Sequence, residues 1–289
     1  MRWCRFESKD GPSFGIIEGD AIVQVKGGPF TQFARTRTKQ PLKSTKLLAP
    51  VDNPTFYVIG RNYIGHVEGR ARAGSPMPPA PWAWWRSASA ITGKNSDIII
   101  PADCPDDVEY ECEPIVVIGK GGKNLTRREA QDAIFGYTIG NDVTAMSWAR
   151  SDPSPWRSKN CDTWKPVGPW IETDLDLTQA VCTVRYNGVE QVKWHINNWI
   201  YGPVEVLVTI SRYMTLCPGD VLMMGAEGMS PFMQHNDVVE AEITGLGTLR
   251  NRFVREKHRA YGTSSARIVV NRSGASRRRI DRRRLSLSA

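Results

Sequence analysis

Short β-prone apolar runs, some continuous and some alternating with polar residues, recur along this chain, and only two stretches read as helices. FGIIEGDAIVQVKG holds two β-prone runs around Glu18-Gly19-Asp20, which predicts a hairpin. TFYVIG, residues 55–60, has the pattern of a buried strand. In RNYIGHVEGRARAG, glycines 65, 69 and 74 predict a loop or a short interrupted helix. SPMPPAPWAWWRSASA leaves an extended proline stretch for a segment with Trp82, Trp84 and Trp85, whose plain reading is core packing. Ile115 to Ile118 form an unbroken apolar run, predicting a strand buried on both faces. Thr126 followed by Glu129 is the signature of a capping box, opening a helix that leads into another apolar strand ending near Asp142. Asn187-Gly188, flanked by period-two alternation, predicts a second hairpin. PVEVLVTISRYMTL has apolar residues at helical spacing, and CPGDVLMMG reads as a turn and a strand. Strands joined by hairpins and interrupted by two helices imply an α+β, mostly β architecture, mixed but largely antiparallel, without a βαβ array.

At 289 residues the chain suits one core with appendages: a small N-terminal β-module over 1–48, a core domain over 49–256, and a basic, disordered tail over 257–289. The net charge of +8 resembles a nucleic-acid signal until it is partitioned. Arg255 to Ala289 alone carry eleven Arg or Lys against Glu256 and Asp281, so the rest of the chain is nearly neutral and a nucleic-acid role is not expected. No stretch has the length of apolar sequence a membrane span needs, and the start MRWCRFESKDG lacks the apolar region of a secretory signal. Six scattered cysteines without a CxxC pair suggest neither a zinc site nor a disulfide framework. A cytoplasmic enzyme with reduced thiols is the expectation.

Candidate chemistry centres on VEYECEP. Alternation along one strand would place Glu109, Glu111 and Glu113 on one face, opposite Tyr110 and Cys112. Such a cluster is either a solvated strand face or a cation site, and an all-oxygen set selects Mg²⁺, Mn²⁺ or Ca²⁺ over zinc. Asp142, at the end of an apolar strand, adds a carboxylate that would be costly to bury without a partner.

In chain order, GRNYIGH, VEYECEPIVVIG, YTIGNDVTA, SKNCDTWKPVGPW, MTLCPGDVLMMG and ITGLGTLRNRFV together resemble the fumarylacetoacetate hydrolase family, from about Leu47 to Val254. The resemblance implies a mixed β-roll, a homodimer, and Mg²⁺ or Mn²⁺, with Ca²⁺ as a stand-in, on the positions of Glu111, Glu113 and Asp142. It implies a small-molecule substrate, a 2-oxo or 2,4-dioxo acid chelated to the ion, which stabilises a developing enolate. By position His66 inherits the role of general base on a water, and Lys159 holds substrate or leaving charge. Arg61, Tyr63, Arg86, Gly225 and Ala226 fall on substrate-contact positions.

The pattern also departs from the family. Gly65 and Gly69 stand where acidic partners of the histidine are common, and Glu68 is one step early. Arg86 replaces a lysine, Ala226 a threonine and Glu227 a proline. These changes, with three tryptophans nearby in sequence, suggest a larger or more aromatic substrate than a simple acylpyruvate. The leading expectation is metal-dependent hydrolysis of a C–C bond in a 2,4-dioxo acid. The alternatives are decarboxylation, tautomerisation or hydration of a 2-oxo acid, favoured by the missing orienting glutamate, and a scaffold that has lost turnover.

Overall fold

The computed structural model describes residues 1–65 and 78–257. Its spine is a twelve-stranded sheet whose main path runs Ala34–Pro41, Ala21–Lys26, Gly11–Glu18, Arg2–Ser8, Lys165–Glu172, Ile134–Asn141, Cys112–Ile118, Val221–Met223, Phe56–Gly60, Trp82–Arg86. Neighbours on this path are antiparallel except Val221–Met223 with Phe56–Gly60. A five-stranded sheet, ordered Val189–His195, Val181–Tyr186, Val238–Ile243, Gly247–Arg255, Asp97–Ile100, and a two-stranded ribbon of Val108–Glu109 with Thr144–Ala145 complete the β structure. The mostly β, mixed architecture expected from the residue pattern is the one observed.

The two hairpins form where the turn chemistry places them. Gly19 has φ +63° between Gly11–Glu18 and Ala21–Lys26. Asn187 and Gly188 both have positive φ, +50° and +81°, the backbone that matches the twist of the strands they join. Thr126 and Glu129 make the reciprocal capping box at the head of helix Arg127–Ala133.

Every residue of Cys112–Ile118 is buried, because both faces of the sheet are covered there. Ile115 and Val117 pack with Phe56, Val58, Val221 and Met223 on one side. Val116 and Ile118 meet Val206, Leu207 and Ile210 of helix Pro203–Ser211 on the other. That helix opens with Gly202 as cap and Pro203 in its first turn, where a missing N–H costs nothing. The N-terminal strands extend the same sheet: Arg2 and Trp3 pair with Glu172 and Ile171, and the Met1 ammonium donates to Glu172 at 2.8 Å.

Two expectations need correction. VEYECEP is not one strand: pairing stops after Glu109 and resumes at Cys112, so the expected carboxylate alternation is broken at Tyr110-Glu111. The tryptophans are not core residues either. They lie on the sheet's edge strand, with Trp82, Trp84 and Trp85 at 37%, 37% and 54% exposure.

Candidate metal centre and active site

Glu113 and Asp142 come from paired strands. Glu113 lies opposite Gly140 in the register, and Asp142 follows the last residue of Ile134–Asn141. Glu111, in the break of the neighbouring strand, is locked to the same place: its N–H donates to Asn141 Oδ1 at 3.0 Å, and its carbonyl accepts from the Asp142 N–H at 2.8 Å. One carboxylate oxygen from each of Glu111, Glu113 and Asp142 lies within 4.8 Å of the others. Glu109, paired opposite Thr144, is not in this group.

Cations surround the cluster on one side. Arg86, at the end of the edge strand, grips Asp142 with a two-pronged contact, Nε to Oδ1 and Nη2 to Oδ2, both 2.7 Å. Lys159 Nζ spans Glu111 Oε2 and Asp142 Oδ2, each at 2.7 Å. Lys165, fully buried at the head of Lys165–Glu172, reaches Asp142 Oδ1 at 3.0 Å and donates to the carbonyls of Val143 and Trp164. Burial alone would raise the Asp142 carboxyl, but Arg86, Lys159 and Lys165 together hold it well below the usual range. Glu113 goes the other way: burial, with Asp142 and Glu111 adding like charge, pushes it well up. Burial brings Lys165 down to about 8, with Asp142 opposing.

The donor set fits a hard divalent ion. Three carboxylates without nitrogen or sulfur, clustered within 4.8 Å, can meet on one ion at metal–oxygen distances of about 2.0–2.1 Å after modest side-chain adjustment. The three acids form one wall of a cavity of about 340 Å³, shared with Arg61, Trp84, Gly225 and Ala226. A larger cavity of about 900 Å³ beside it shares Arg86 and is lined by Trp85 and Trp156, but holds none of the three acids.

The expected contact residues separate in the structure. Arg61 lines the cavity in a left-handed conformation, φ +54°, with its guanidinium 5.4 Å from the Trp82 ring centre. Gly225, at φ +93°, donates its N–H to Glu113 Oε2 at 2.6 Å, so it positions a carboxylate through its backbone. Ala226 lines the cavity. Tyr63 does not: it is sealed in the core, its hydroxyl donating to the Ile196 carbonyl at 3.1 Å. His66, Glu68 and Gly69 lie outside the described residues.

Sequence reasoning missed two members of this assembly, Lys165 and Asn62, and named a third, Glu227, only as a departure from the family pattern. Lys165 escaped notice, although a lysine heading the apolar run KPVGPW is a detectable oddity. Asn62, buried, ties the 61–65 segment to the glycine turn by donating to the carbonyls of Tyr201 and Met224. Glu227 explains part of the altered pattern, because a Cβ on Gly65 would fall 2.4 Å from Glu227 Oε1. A carboxylate from the distant turn fills the space a side chain at 65 would occupy.

Residues 55–254 match the fumarylacetoacetate (FAA) hydrolase C-terminal family, and residues 1–50 match a family described as Rv2993c-like, N-terminal. Protein Rv2993c of Mycobacterium tuberculosis is 35% identical over 89% of this chain and 99% of its own length. The mitochondrial oxaloacetate tautomerase fahd2 of Xenopus laevis is 33% identical over 88% of this chain and 90% of its own. The crystal structure of 5-carboxymethyl-2-hydroxymuconate delta-isomerase from Mycobacterium smegmatis superposes with a TM-score of 0.80 at 35% identity, covering 89% of this chain and all of that one. Among the described residues no helix is long and apolar enough to cross a membrane. With its acidic triad, its mixed sheet and these relatives, the chain belongs to the fumarylacetoacetate hydrolase family.

Proposed function

We propose that this chain is a divalent-metal-dependent isomerase or tautomerase of a 2-oxo acid. The observation that carries the reading is the carboxylate triad set in the wall of a cavity of about 340 Å³, a size suited to a small dicarboxylate. Similarity to an oxaloacetate tautomerase and to a 5-carboxymethyl-2-hydroxymuconate delta-isomerase supports it. Glu111, Glu113 and Asp142 would hold Mg²⁺ or Mn²⁺, which when bound supplies Lewis-acid stabilisation of an enolate oxygen.

The protein's own groups supply the rest. Arg86 and Lys165 fix both oxygens of Asp142, so its geometry is set before substrate arrives. Arg61, stacked at Trp82 on the cavity wall, is placed to bind a substrate carboxylate. Trp84 lines the same cavity and offers apolar surface to substrate carbon. The Lys159 ammonium, kept protonated against burial by Asp142 and Glu111, supplies positive charge for a developing oxyanion.

C–C hydrolysis of an acylpyruvate is the second reading, favoured by the GRNYIGH block, whose His66 matches the family's water-activating base. The test follows enol-to-keto conversion of oxaloacetate and cleavage of acylpyruvates with added Mg²⁺ or Mn²⁺ and with chelator. Metal-dependent enol conversion that falls at least about 100-fold in Glu111→Gln is expected. Turnover of acylpyruvates alone, abolished in His66→Ala, would replace the isomerase reading with hydrolysis.

A further inference from the structure

Asp142 is crowded with cations. Arg86 Nε donates to Oδ1, Arg86 Nη2 and Lys159 Nζ donate to Oδ2, and the Lys165 ammonium lies 3.0 Å from Oδ1 as an ion pair. A divalent ion that ligates this side chain enters among three positive groups, and the one that yields most easily makes way for it.

The three candidates are not equally able to leave. Arg86 is 2% exposed and makes a third bond, Nη1 to the Trp85 carbonyl at 3.0 Å. Lys165 is 0% exposed, and two of its three donors are already held by the carbonyls of Val143 and Trp164. Lys159 differs in each respect. It is 15% exposed, and its two short contacts go to Glu111 and Asp142, both members of the triad. Its flexible four-carbon stem also lies on the wall of the 340 Å³ cavity, which offers room to swing.

Resting on the metal-centre reading above, we infer that Lys159 is a built-in counter-ion of the triad, exchanged for the divalent ion when it loads. The ammonium bridges two carboxylates, where it neutralises charge that would otherwise repel. On loading it gives up Glu111 Oε2 and Asp142 Oδ2 and turns into the cavity, while Arg86 and Lys165 stay on Asp142. The displaced charge then faces the substrate space, so ion loading and presentation of Lys159 to an anionic substrate oxygen are one event. Metal affinity is thus set by a residue that is not a metal ligand.

The test has two readouts, neither of them turnover. Mn²⁺ is titrated calorimetrically into chelator-stripped wild type, Lys159→Gln, Lys159→Met and Glu113→Gln. Removing the competing ammonium is expected to tighten Mn²⁺ binding about tenfold in Lys159→Gln and Lys159→Met, and to lower the melting temperature of the stripped variants. A variant that folds only with Mn²⁺ is the same result in stronger form. In parallel, Lys159 of the wild type is acylated with a succinimidyl ester and followed by mass spectrometry, with exposed lysines as the internal reference. Mn²⁺ is expected to speed acylation of Lys159 several-fold.

Unchanged or weaker Mn²⁺ binding in both Lys159 variants overturns the inference, as does acylation that Mn²⁺ leaves alone. If wild type binds Mn²⁺ and only Glu113→Gln loses it, the metal centre stands and the exchange falls. If wild type binds no Mn²⁺, both fall together.

Discussion

Glu113 and Asp142 are carboxylates on paired strands, 2% and 1% exposed, and their surroundings differ sharply in charge. Asp142 receives three hydrogen bonds from Arg86 and Lys159 and an ion pair from Lys165, whereas Glu113 receives the single backbone N–H of Gly225 and faces two other acids. Burial opposes ionisation at both positions equally in kind. What separates them is compensation, which holds Asp142 ionised and leaves Glu113 resisting its charge. The site therefore has a settled half built on Asp142 and an unsettled half at Glu113, and a divalent ion would chiefly relieve the second.

The largest effect should come from the settled half. Asp142→Asn leaves Arg86, Lys159 and Lys165 facing a neutral amide that carries its own donors. Breaking a buried, compensated ion network in this way costs about 3–5 kcal/mol. For a chain of this size that lowers the melting temperature by roughly 10 °C. A loss of only a degree or two would mean that the cations find other partners, and the contrast with Glu113 would collapse.

Gly225 sharpens the comparison from the other side. Its φ of +93° is a conformation L-residues rarely adopt, and a Cβ there would sit 3.1 Å from Asn62 Cβ. Gly225→Ala should cost about 1–2 kcal/mol in backbone strain and disturb the N–H that holds Glu113. Because the Gly225 N–H reaches Glu113 and not Asp142, Mn²⁺ affinity should fall in this variant while the ion pairs on Asp142 persist. Denaturant unfolding and calorimetry on the same preparation separate the two consequences.

Much of this half-and-half arrangement could be read from residue order, and the reason is local. Asn187-Gly188, Thr126 with Glu129, and the Ile115 to Ile118 run each act through neighbours a few positions away, so their structures follow from short-range rules. The triad was legible because Glu111, Glu113 and Asp142 stand in blocks that resemble a known family. The break at Tyr110-Glu111 was not legible, since alternation alone cannot report where Asn141 draws a strand aside. Nor were the pairing of Arg86 with Asp142, 56 positions apart, or the burial of Lys165, both products of sheet order. The tryptophans misled for the same reason: whether Trp82–Arg86 is central or at an edge is decided by strands far away in sequence.

The smallest effect is the most diagnostic, because its sign is unusual. Glu113→Gln keeps the side chain's shape and the carbonyl that accepts from Gly225, yet removes a charge that burial and two neighbouring acids oppose. In stripped protein the variant should be more stable than wild type by about 1 kcal/mol, since a neutral hydrogen-bonded amide costs less to bury than an uncompensated carboxylate. Saturating Mg²⁺ or Mn²⁺ should reverse the order, because wild type gains the free energy of ion binding and the variant gains little. Two melting curves per protein, with and without the ion, are enough. A variant less stable than wild type in both conditions would mean that Glu113 is already compensated, and that the cations gathered on Asp142 serve the whole triad.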